Sequence, residues 1–125
     1  MPGIARFSLV ALDCPDALAL ADFYALITGW EVDSRERGTW VELVSDGGAT
    51  LACQQVDDFA APDWPDGSPQ QAHLDFDVAD LDVGEAQVLA AGARKAEVQP
   101  EPDEWRVYLD PAGHPFCLVM AEDDP

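Results

Sequence analysis

The chain has 125 residues, 48% of them hydrophobic, so it is long enough to bury a core as one domain without disulfides or metal ions. Its 25 acidic side chains outnumber the 6 basic ones, which gives a net charge of −19. Such a surface repels nucleic-acid phosphates and anionic lipids and favours cationic small molecules. We therefore expect neither a nucleic-acid nor a membrane partner.

The cysteines and the apolar runs predict the compartment. Cys14, Cys53 and Cys117 are an odd number without CxxC spacing, so a disulfide framework is not expected. No apolar run approaches the ~20 residues of a membrane span, and the N-terminus lacks the layout of a secretory signal. We expect a cytoplasmic protein with free thiols.

The first half of the chain predicts the order β-α-β-β-β. Residues 4–12 are apolar enough for a strand that is buried on both faces. A helix follows, with Asp16 or Asp13 as its N-cap and Gly29 as a left-handed C-cap. Its apolar residues with the i, i+3, i+4, i+7 spacing of a buried stripe are Leu20, Phe23, Tyr24 and Ile27. Three strands are then predicted, at residues 30–34, 39–44 and 49–56, with a turn at 46–48.

Residues 57–69 break this pattern with several prolines and a glycine, which predicts a linker. The linker contains two aromatic residues, Phe59 and Trp64. They indicate either a lid or subunit contact, or aromatic rings that only pin the loop.

The second half begins with a strand over residues 70–78. Its residues alternate between two faces, with Ala72, Leu74, Phe76 and Val78 on one and His73, Asp75 and Asp77 on the other. A helix follows, with Asp80 as N-cap, Asp82 and Glu85 as a second capping box, and Gly92 as its end. The remaining strands are predicted at residues 94–98, 104–109 and 115–120, with a turn at 110–113.

The second half therefore repeats the first. Trp40 corresponds to Trp105 in this repeat, and Cys53 corresponds to Cys117. Module 1 comprises about residues 4–56 and module 2 about residues 70–121. A single module would be an open sheet with one helix. We thus predict an α+β fold in which two βαβββ modules form a curved, barrel-like sheet around a cleft.

Several motifs accompany the repeat: Phe23-Tyr24 followed by Gly29-Trp30, Trp-Pro-Asp-Gly at 64–67, Gln-Gln-Ala-His-Leu-Asp at 70–75, and Asp-Pro-Ala-Gly-His-Pro-Phe-Cys-Leu-Val at 110–119. With them the chain resembles the vicinal oxygen chelate superfamily, and within it the glyoxalase-like domain of the glyoxalase, bleomycin resistance and dioxygenase proteins. The resemblance covers essentially the whole chain. It implies a fold rather than a substrate, since that scaffold hosts isomerases, lyases, dioxygenases and drug-binding proteins.

The resemblance also implies where a metal would bind, at four positions on the first and last strands of both modules. His73 matches the histidine of module 2, and its duplicate in module 1 is taken to be Phe7. Cys117 stands where the metal-using enzymes carry a glutamate, and Cys53 or Gln54 occupies the matching place in module 1. Because Phe7 cannot ligate and the carboxylate is missing, we expect no catalytic divalent metal there.

His73 has three interpretations. It forms an unusual zinc site with Cys53 and Cys117, or it contacts a ligand and transfers a proton in a cavity, or it is a structural histidine satisfied by Asp75 or a backbone carbonyl. The residues alone leave all three open.

Other residues are candidates for the walls of the cleft. Glu42 shares a strand face with Trp40 and is the best carboxylate for a general base or for cation recognition, unless it faces solvent. Arg106 and Tyr108 are candidates for holding a polar group, whereas His114 reads as a turn residue before a proline. The predicted ligand-binding set is Phe7, Trp40, Cys53, Gln54, His73, Asp75, Trp105, Tyr108 and Cys117.

Two functional hypotheses remain. In the first, the cleft binds a cationic or aromatic small molecule without a metal, with tryptophans as stacking surfaces. In the second, the protein is a glyoxalase-like lyase or isomerase that acts on a small oxygenated metabolite, with His73 as acid, base or metal ligand. We favour binding because the metal-ligand set is defective. The resemblance and the aromatic residues of the linker further suggest a homodimer.

Overall fold

Two successive β-α-β-β-β segments make up the described part of the chain, residues 3, 7–33, 38–48, 50–62 and 73–121, in the computed structural model. Module 1 comprises β1 (Val10–Cys14), α1 (Ala17–Thr28), β2 (Glu31–Asp33), β3 (Trp40–Val44) and β4 (Thr50–Gln55). Module 2 comprises β5 (Leu74–Val78), α2 (Leu81–Ala91), β6 (Arg94–Lys95), β7 (Trp105–Leu109) and β8 (Pro115–Met120). Parts of the predicted segments lie outside the described residues: 4–6, 34, 49 and 63–72, including Trp64.

The two sheets have the same topology. Their strand orders are β1-β4-β3-β2 and β5-β8-β7-β6. In each sheet the first and last strands of the module pair in parallel, and the other neighbours are antiparallel. The predicted duplication of a βαβββ module is therefore confirmed.

Helix α1 begins and ends where the sequence predicts. Of the two candidate caps, Asp16 is the one used, since its Oδ1 accepts a hydrogen bond of 3.1 Å from the backbone N of Ala19. Gly29 ends the helix with φ 75°, a left-handed conformation that costs glycine little. The predicted stripe packs inwards, with Leu20, Phe23 and Tyr24 buried. No helix in the described part of the chain is long and apolar enough to cross a membrane.

Helix α2 is capped by Asp80, whose Oδ1 accepts from the backbone N of Val83 at 3.0 Å. The predicted second capping box is wrong. Asp82 and Glu85 instead direct their carboxylates towards side chains of the sheet, because cationic and phenolic donors lie there. The residue three positions after the cap is Val83, which has no side-chain acceptor for a box.

Strand β1 differs from its prediction, since it runs from Val10 to Cys14 rather than over residues 4–12. Its position is set by pairing, because Val10 lies opposite Leu51 and β4 begins only one residue earlier. The strand is also not buried on both faces, and only Cys14 within it is buried. An apolar run alone does not decide between these outcomes.

Strand β6 is shorter than the predicted 94–98. After it, the backbone N of Ala96 still donates to the carbonyl of Val107 at 3.1 Å, and the side chain of Gln99 makes further hydrogen bonds to β7. The Gln99 amide donates to the carbonyl of Val107 at 2.8 Å and accepts from the N–H of the same residue at 2.9 Å. The same amide donates to the carbonyl of Ala96 at 2.8 Å. The Gln99 side chain thus satisfies backbone groups that a longer strand β6 would have paired.

Each sheet has a helix-covered face and a second face, which we call the far face. We call the sheet of module 1 sheet 1 and that of module 2 sheet 2. In sheet 1, the side-chain oxygen of Gln55 accepts a hydrogen bond from the backbone N of Ala17, the first residue of α1, which identifies the helix-covered face. In sheet 2, the close approach of Gly84 in α2 to Leu118 and Val78 identifies it. Alternation along the strands and cross-strand pairing then assign each of the remaining strand residues to one of the two faces.

The turn between β7 and β8 is organised by Asp110, which is 1% exposed. Its Oδ1 accepts from the backbone N of Ala112 at 2.8 Å and of His114 at 3.0 Å. Gly113 has φ 92°, and a Cβ added there would lie 2.7 Å from the Cβ of Ala61. The predicted turn is present, and the backbone of His114 takes part in it.

Asp110→Ala is expected to lower the free energy of unfolding by about 2–3 kcal/mol, since two backbone N–H groups lose their acceptor in a buried turn. Asp110→Asn keeps an oxygen acceptor and is expected to recover part of this loss. Urea denaturation measures both, with Asp46→Ala in the exposed turn of module 1 as the control. Equal stability of Asp110→Ala and Asp46→Ala would contradict this assignment.

Candidate functional site

The far face of sheet 2 brings together His73, Asp75 and Cys117. His73 directly precedes β5 and Asp75 is two residues further on, so both side chains point to the same face. Asp75 lies opposite Cys117 in the parallel pairing of β5 with β8. The Nε2 of His73 is 3.3 Å from the Oδ1 of Asp75. One potential ligand atom of each of the three residues lies within 4.8 Å of the other two.

The exposure of the three residues differs. The side chains of His73 and Asp75 are 43% and 56% exposed, whereas Cys117 is 8% exposed. Cys117 belongs to an apolar cluster that also comprises Ala96, Val107, Trp105 and Val119. In this cluster Cys117 therefore packs against apolar side chains, whereas His73 and Asp75 are accessible to solvent.

Burial raises the pKa of the Cys117 thiol to about 11, and the negative charge of Asp75 and a hydrogen bond to it add to this shift. Both causes disfavour the thiolate, because the first removes water and the second places two negative charges side by side. The thiol is thus neutral near pH 7 and donates to the carboxylate. A free nucleophilic role for Cys117 is not supported.

The far face of sheet 1 collects a second group of predicted residues. Trp40 Nε1 donates to Glu42 Oε2 at 2.8 Å, which confirms that the two side chains share a face. Gln54 lies opposite Trp40 in the pairing of β3 with β4. This face therefore carries an indole, a carboxylate and an amide next to one another.

The correspondence of Cys53 with Cys117 is wrong. Strands β4 and β8 both have six residues, and in each the first residue pairs with the last residue of the preceding strand. The third residues are therefore equivalent, which matches Cys117 to Ala52. Cys53 is one residue further on and lies on the helix-covered face, fully buried, opposite Val41. It does not share a face with the module 1 position that corresponds to Cys117.

The correspondence of Phe7 with His73 is also wrong. His73 lies seven residues before the N-cap Asp80, and the residue seven before the N-cap Asp16 is Leu9. The pairing of β1 with β4 and of β5 with β8 gives the same equivalence. Phe7 is 79% exposed and precedes the strand. In the sequence, the equal spacing of Leu9 and His73 from their helix N-caps is the signal that identifies Leu9 as the equivalent of His73.

Tyr108 and Arg106 lie on the helix-covered face of sheet 2 and not with His73. The Tyr108 hydroxyl donates to Glu85 Oε1 at 3.0 Å, and Arg106 binds Asp82 of α2 at 2.9 Å. Burial and the Glu85 carboxylate raise the pKa of Tyr108 well above its usual range. A hydrogen bond from Lys95, at 2.8 Å, lowers the pKa of Glu85. This network fastens α2 to its sheet, and it removes Tyr108 from the ligand-binding set.

The donor set does not fit the hard divalent ion that the resemblance implies. With the corrected equivalences, the four positions are Leu9, Ala52, His73 and Cys117. Two of the four side chains are aliphatic, and neither of the others is a carboxylate. Ions such as Mg²⁺ require several oxygen ligands, which these positions do not supply.

Comparison with known proteins supports the family assignment. The family model described as glyoxalase-like domain matches residues 9–119, which include both modules. No curated protein matches the chain in sequence.

Solved structures with the same fold cover nearly the whole chain. A glyoxalase/bleomycin resistance protein/dioxygenase family enzyme from Burkholderia phytofirmans is 20% identical, with a TM-score of 0.70 over 94% of this chain and 100% of that one. A glyoxalase/dioxygenase from Nostoc punctiforme is 18% identical, with a TM-score of 0.72 over 96% and 93%. A glyoxylase/bleomycin resistance protein/dioxygenase domain from Frankia sp. is 23% identical, with a TM-score of 0.67 over 96% and 100%.

The raised pKa of Cys117 predicts a loss of stability in alkaline solution. The thiol ionises near 9.0 in the unfolded chain and at about 11 in the folded one, so between these values the unfolded state binds fewer protons and the free energy of unfolding falls as the pH rises. The difference between these two pKa values corresponds to a full loss of at most about 3 kcal/mol. Urea denaturation between pH 8 and pH 11 measures it.

Two variants isolate this contribution. Cys117→Ala is expected to remove it, and Asp75→Asn, which removes the neighbouring charge, is expected to reduce it. Tyr108 also titrates in alkali, but it is present in all three proteins, so its effect cancels in the differences. A wild-type pH profile parallel to that of Cys117→Ala would contradict the raised pKa.

Proposed function

Because the chain belongs to the glyoxalase-like domain family, we propose that it binds a small organic molecule on the far face of sheet 1, without the four-ligand metal centre of the metal-using relatives. The observation that carries this proposal is the donor set. Leu9 and Ala52 stand at the two metal-ligand positions of module 1, so half of the metal site is lost. A fold that hosts many chemistries permits such a change.

Module 1 offers the better binding surface for an organic group. Trp40 supplies an aromatic face, and Glu42 and Gln54 supply polar groups beside it. Ala11 and Ala52 are paired on the same far face, where Ala52 is fully buried and Ala11 is exposed, so the accessible side chains of this surface include Ala11 and Gln54 beside the half-buried Trp40. Binding sites for small molecules commonly combine a large apolar or aromatic surface with a few oriented polar groups.

The charge of the protein favours a cationic ligand. The net charge is −19, and two of the six basic side chains, Lys95 and Arg106, are paired with carboxylates on the helix-covered face of sheet 2. A cation gains from the overall field and from contact with an indole ring. An anionic ligand gains from neither.

A thermal-shift screen tests this proposal with organic cations matched to neutral and anionic compounds of similar size. We expect cations with an aromatic or aliphatic part to raise the melting temperature. Trp40→Ala is expected to weaken the best ligand about 5- to 30-fold, which corresponds to about 1–2 kcal/mol of lost contact.

Tyr108→Phe is the matched control, because it alters an aromatic residue of the helix-covered face and should leave ligand affinity unchanged. Equal responses to cations and anions would refute the charge argument. A ligand whose affinity is unaffected by Trp40→Ala would refute the assignment of the surface.

A second candidate function is favoured by the contact between His73 and Asp75 at 3.3 Å. An imidazole next to a carboxylate is a common acid–base pair, and it is accessible here. On this alternative the protein is a glyoxalase-like lyase or isomerase for a small oxygenated metabolite. Chemical conversion of a bound compound, followed by NMR, would favour the enzyme over the binding protein.

We also propose a cytoplasmic homodimer. The net charge and the free thiols support the compartment, and the resemblance together with Phe59 and Trp64 supports the dimer. Light scattering is expected to return twice the 13.5 kDa of one chain at micromolar concentration. The mass of a single chain across all working concentrations would count against the dimer.

A further inference from the structure

We propose that Glu42 is a positioning residue of the far face of sheet 1, which holds the indole of Trp40 in the orientation that a flat, cationic ligand needs for stacking. The inference rests on the proposed binding function of this face. It deepens that function, because it assigns a role to Glu42 and a shape to the ligand. The role differs from the general base that the sequence suggested, since Glu42 acts on the ligand through the indole.

The contact that carries the inference joins two side chains of one strand. The Nε1 of Trp40 donates a hydrogen bond of 2.8 Å to the Oε2 of Glu42, and both residues are half-buried. A hydrogen bond to an ionised acceptor is stronger than one between neutral groups. Rotation of the ring about its side-chain bonds would break this contact. The N–H edge of the indole is therefore held along β3, towards Glu42.

The backbone beneath these two side chains is held on both sides. Strand β3 lies between β2 and β4 in sheet 1. The residues that alternate with Trp40 and Glu42 are Val41 and Leu43, which are fully buried on the helix-covered face. Side chains on such a strand are positioned more precisely than side chains on a loop. The distance between donor and acceptor is thus set by the fold before a ligand arrives.

Module 2 provides an internal comparison. Trp105 begins β7 as Trp40 begins β3, so the two tryptophans occupy equivalent places. The residue two positions after Trp105 is Val107, whose side chain has no acceptor for an indole N–H. Trp105 packs against the apolar cluster that contains Val107 and Cys117. The hydrogen bond to a carboxylate is therefore a property of the ring in module 1 and not of the repeated backbone.

A fixed ring affects which ligand binds best. A cation is attracted to the face of an indole, and two aromatic rings attract each other only in offset or edge-to-face arrangements. An indole that is fixed in advance loses little rotamer freedom when the ligand binds. An aliphatic chain makes contacts that depend little on ring orientation. We therefore expect the contact with Glu42 to favour flat aromatic cations over aliphatic cations of the same charge.

The indole N–H of Trp40 tests the positioning contact without any ligand. In the ¹H–¹⁵N NMR spectrum of the full-length protein it is the indole signal that Trp40→Phe removes. Glu42→Met keeps the length of the side chain but removes the acceptor, so we expect this proton to exchange with solvent at least about tenfold faster. Glu42→Gln retains an oxygen acceptor and is expected to restore slow exchange. The Trp105 signal is the internal control and should not change in either variant.

The effect on binding is measured with N-methylquinolinium as the flat cation and butyltrimethylammonium as the aliphatic one. We expect Glu42→Met to weaken the binding of N-methylquinolinium about fivefold or more, and that of butyltrimethylammonium less than about twofold. Glu42→Gln is expected to stay within about twofold of the wild type for both cations. Asp33→Asn removes a carboxylate opposite Glu42 on the neighbouring strand, and it is the matched control for the loss of charge.

The inference is overturned if the Trp40 proton exchanges as slowly in Glu42→Met as in the wild type. It is also overturned if Glu42→Gln and Glu42→Met weaken N-methylquinolinium equally, since charge rather than orientation would then be responsible, or if Glu42→Met weakens both cations equally. A wild type that binds neither cation refutes the proposed function and with it the preference for a flat ligand. Faster exchange in Glu42→Met would still support the positioning contact in that case, so the two failures are distinguishable.

Discussion

The parallel pairing of the first and last strands of each module determines most of what this structure places together. Two parallel neighbours require a crossover, and here the crossover contains the helix and two further strands. Once β5 lies beside β8 in its observed register, Asp75 stands opposite Cys117 and both point away from α2. A shift of one residue would exchange the two faces of the strand, so the cluster depends on this register.

The same backbone carries different chemistry in the two modules. Module 2 has His73 and Cys117 at positions where module 1 has Leu9 and Ala52. The topology is identical, so the difference lies entirely in side chains. The two modules therefore present different side chains at equivalent backbone positions.

Paired polar groups hold helix α2 against sheet 2. On the helix-covered face of sheet 2, Glu85 binds both Lys95 and the hydroxyl of Tyr108, so a carboxylate, an ammonium and a buried phenol satisfy one another. Such groups are costly to bury unless they are paired. The network holds α2 against sheet 2. On their far face, the strands of this sheet carry the apolar residues Trp105, Val107 and Val119 that pack with Cys117.

The sequence by itself determined the local features of this protein. Asp16, Asp80 and Gly29 define helix ends through contacts within a few residues, and the turn at Asp110 is built the same way. The duplication was also visible, because both modules repeat the same order of periodic segments. These features depend on short-range interactions that a single sequence records.

Only the tertiary structure decided which side chains meet. The sequence could not fix whether Cys53 or its neighbours matched Cys117, nor show that Tyr108 lies beneath α2, since both depend on how distant strands pair. Asp75 and Cys117 are far apart in the chain, and their contact follows from strand register. Alternation along a strand predicts two faces but not which of them a helix covers, and that choice is made by packing between elements.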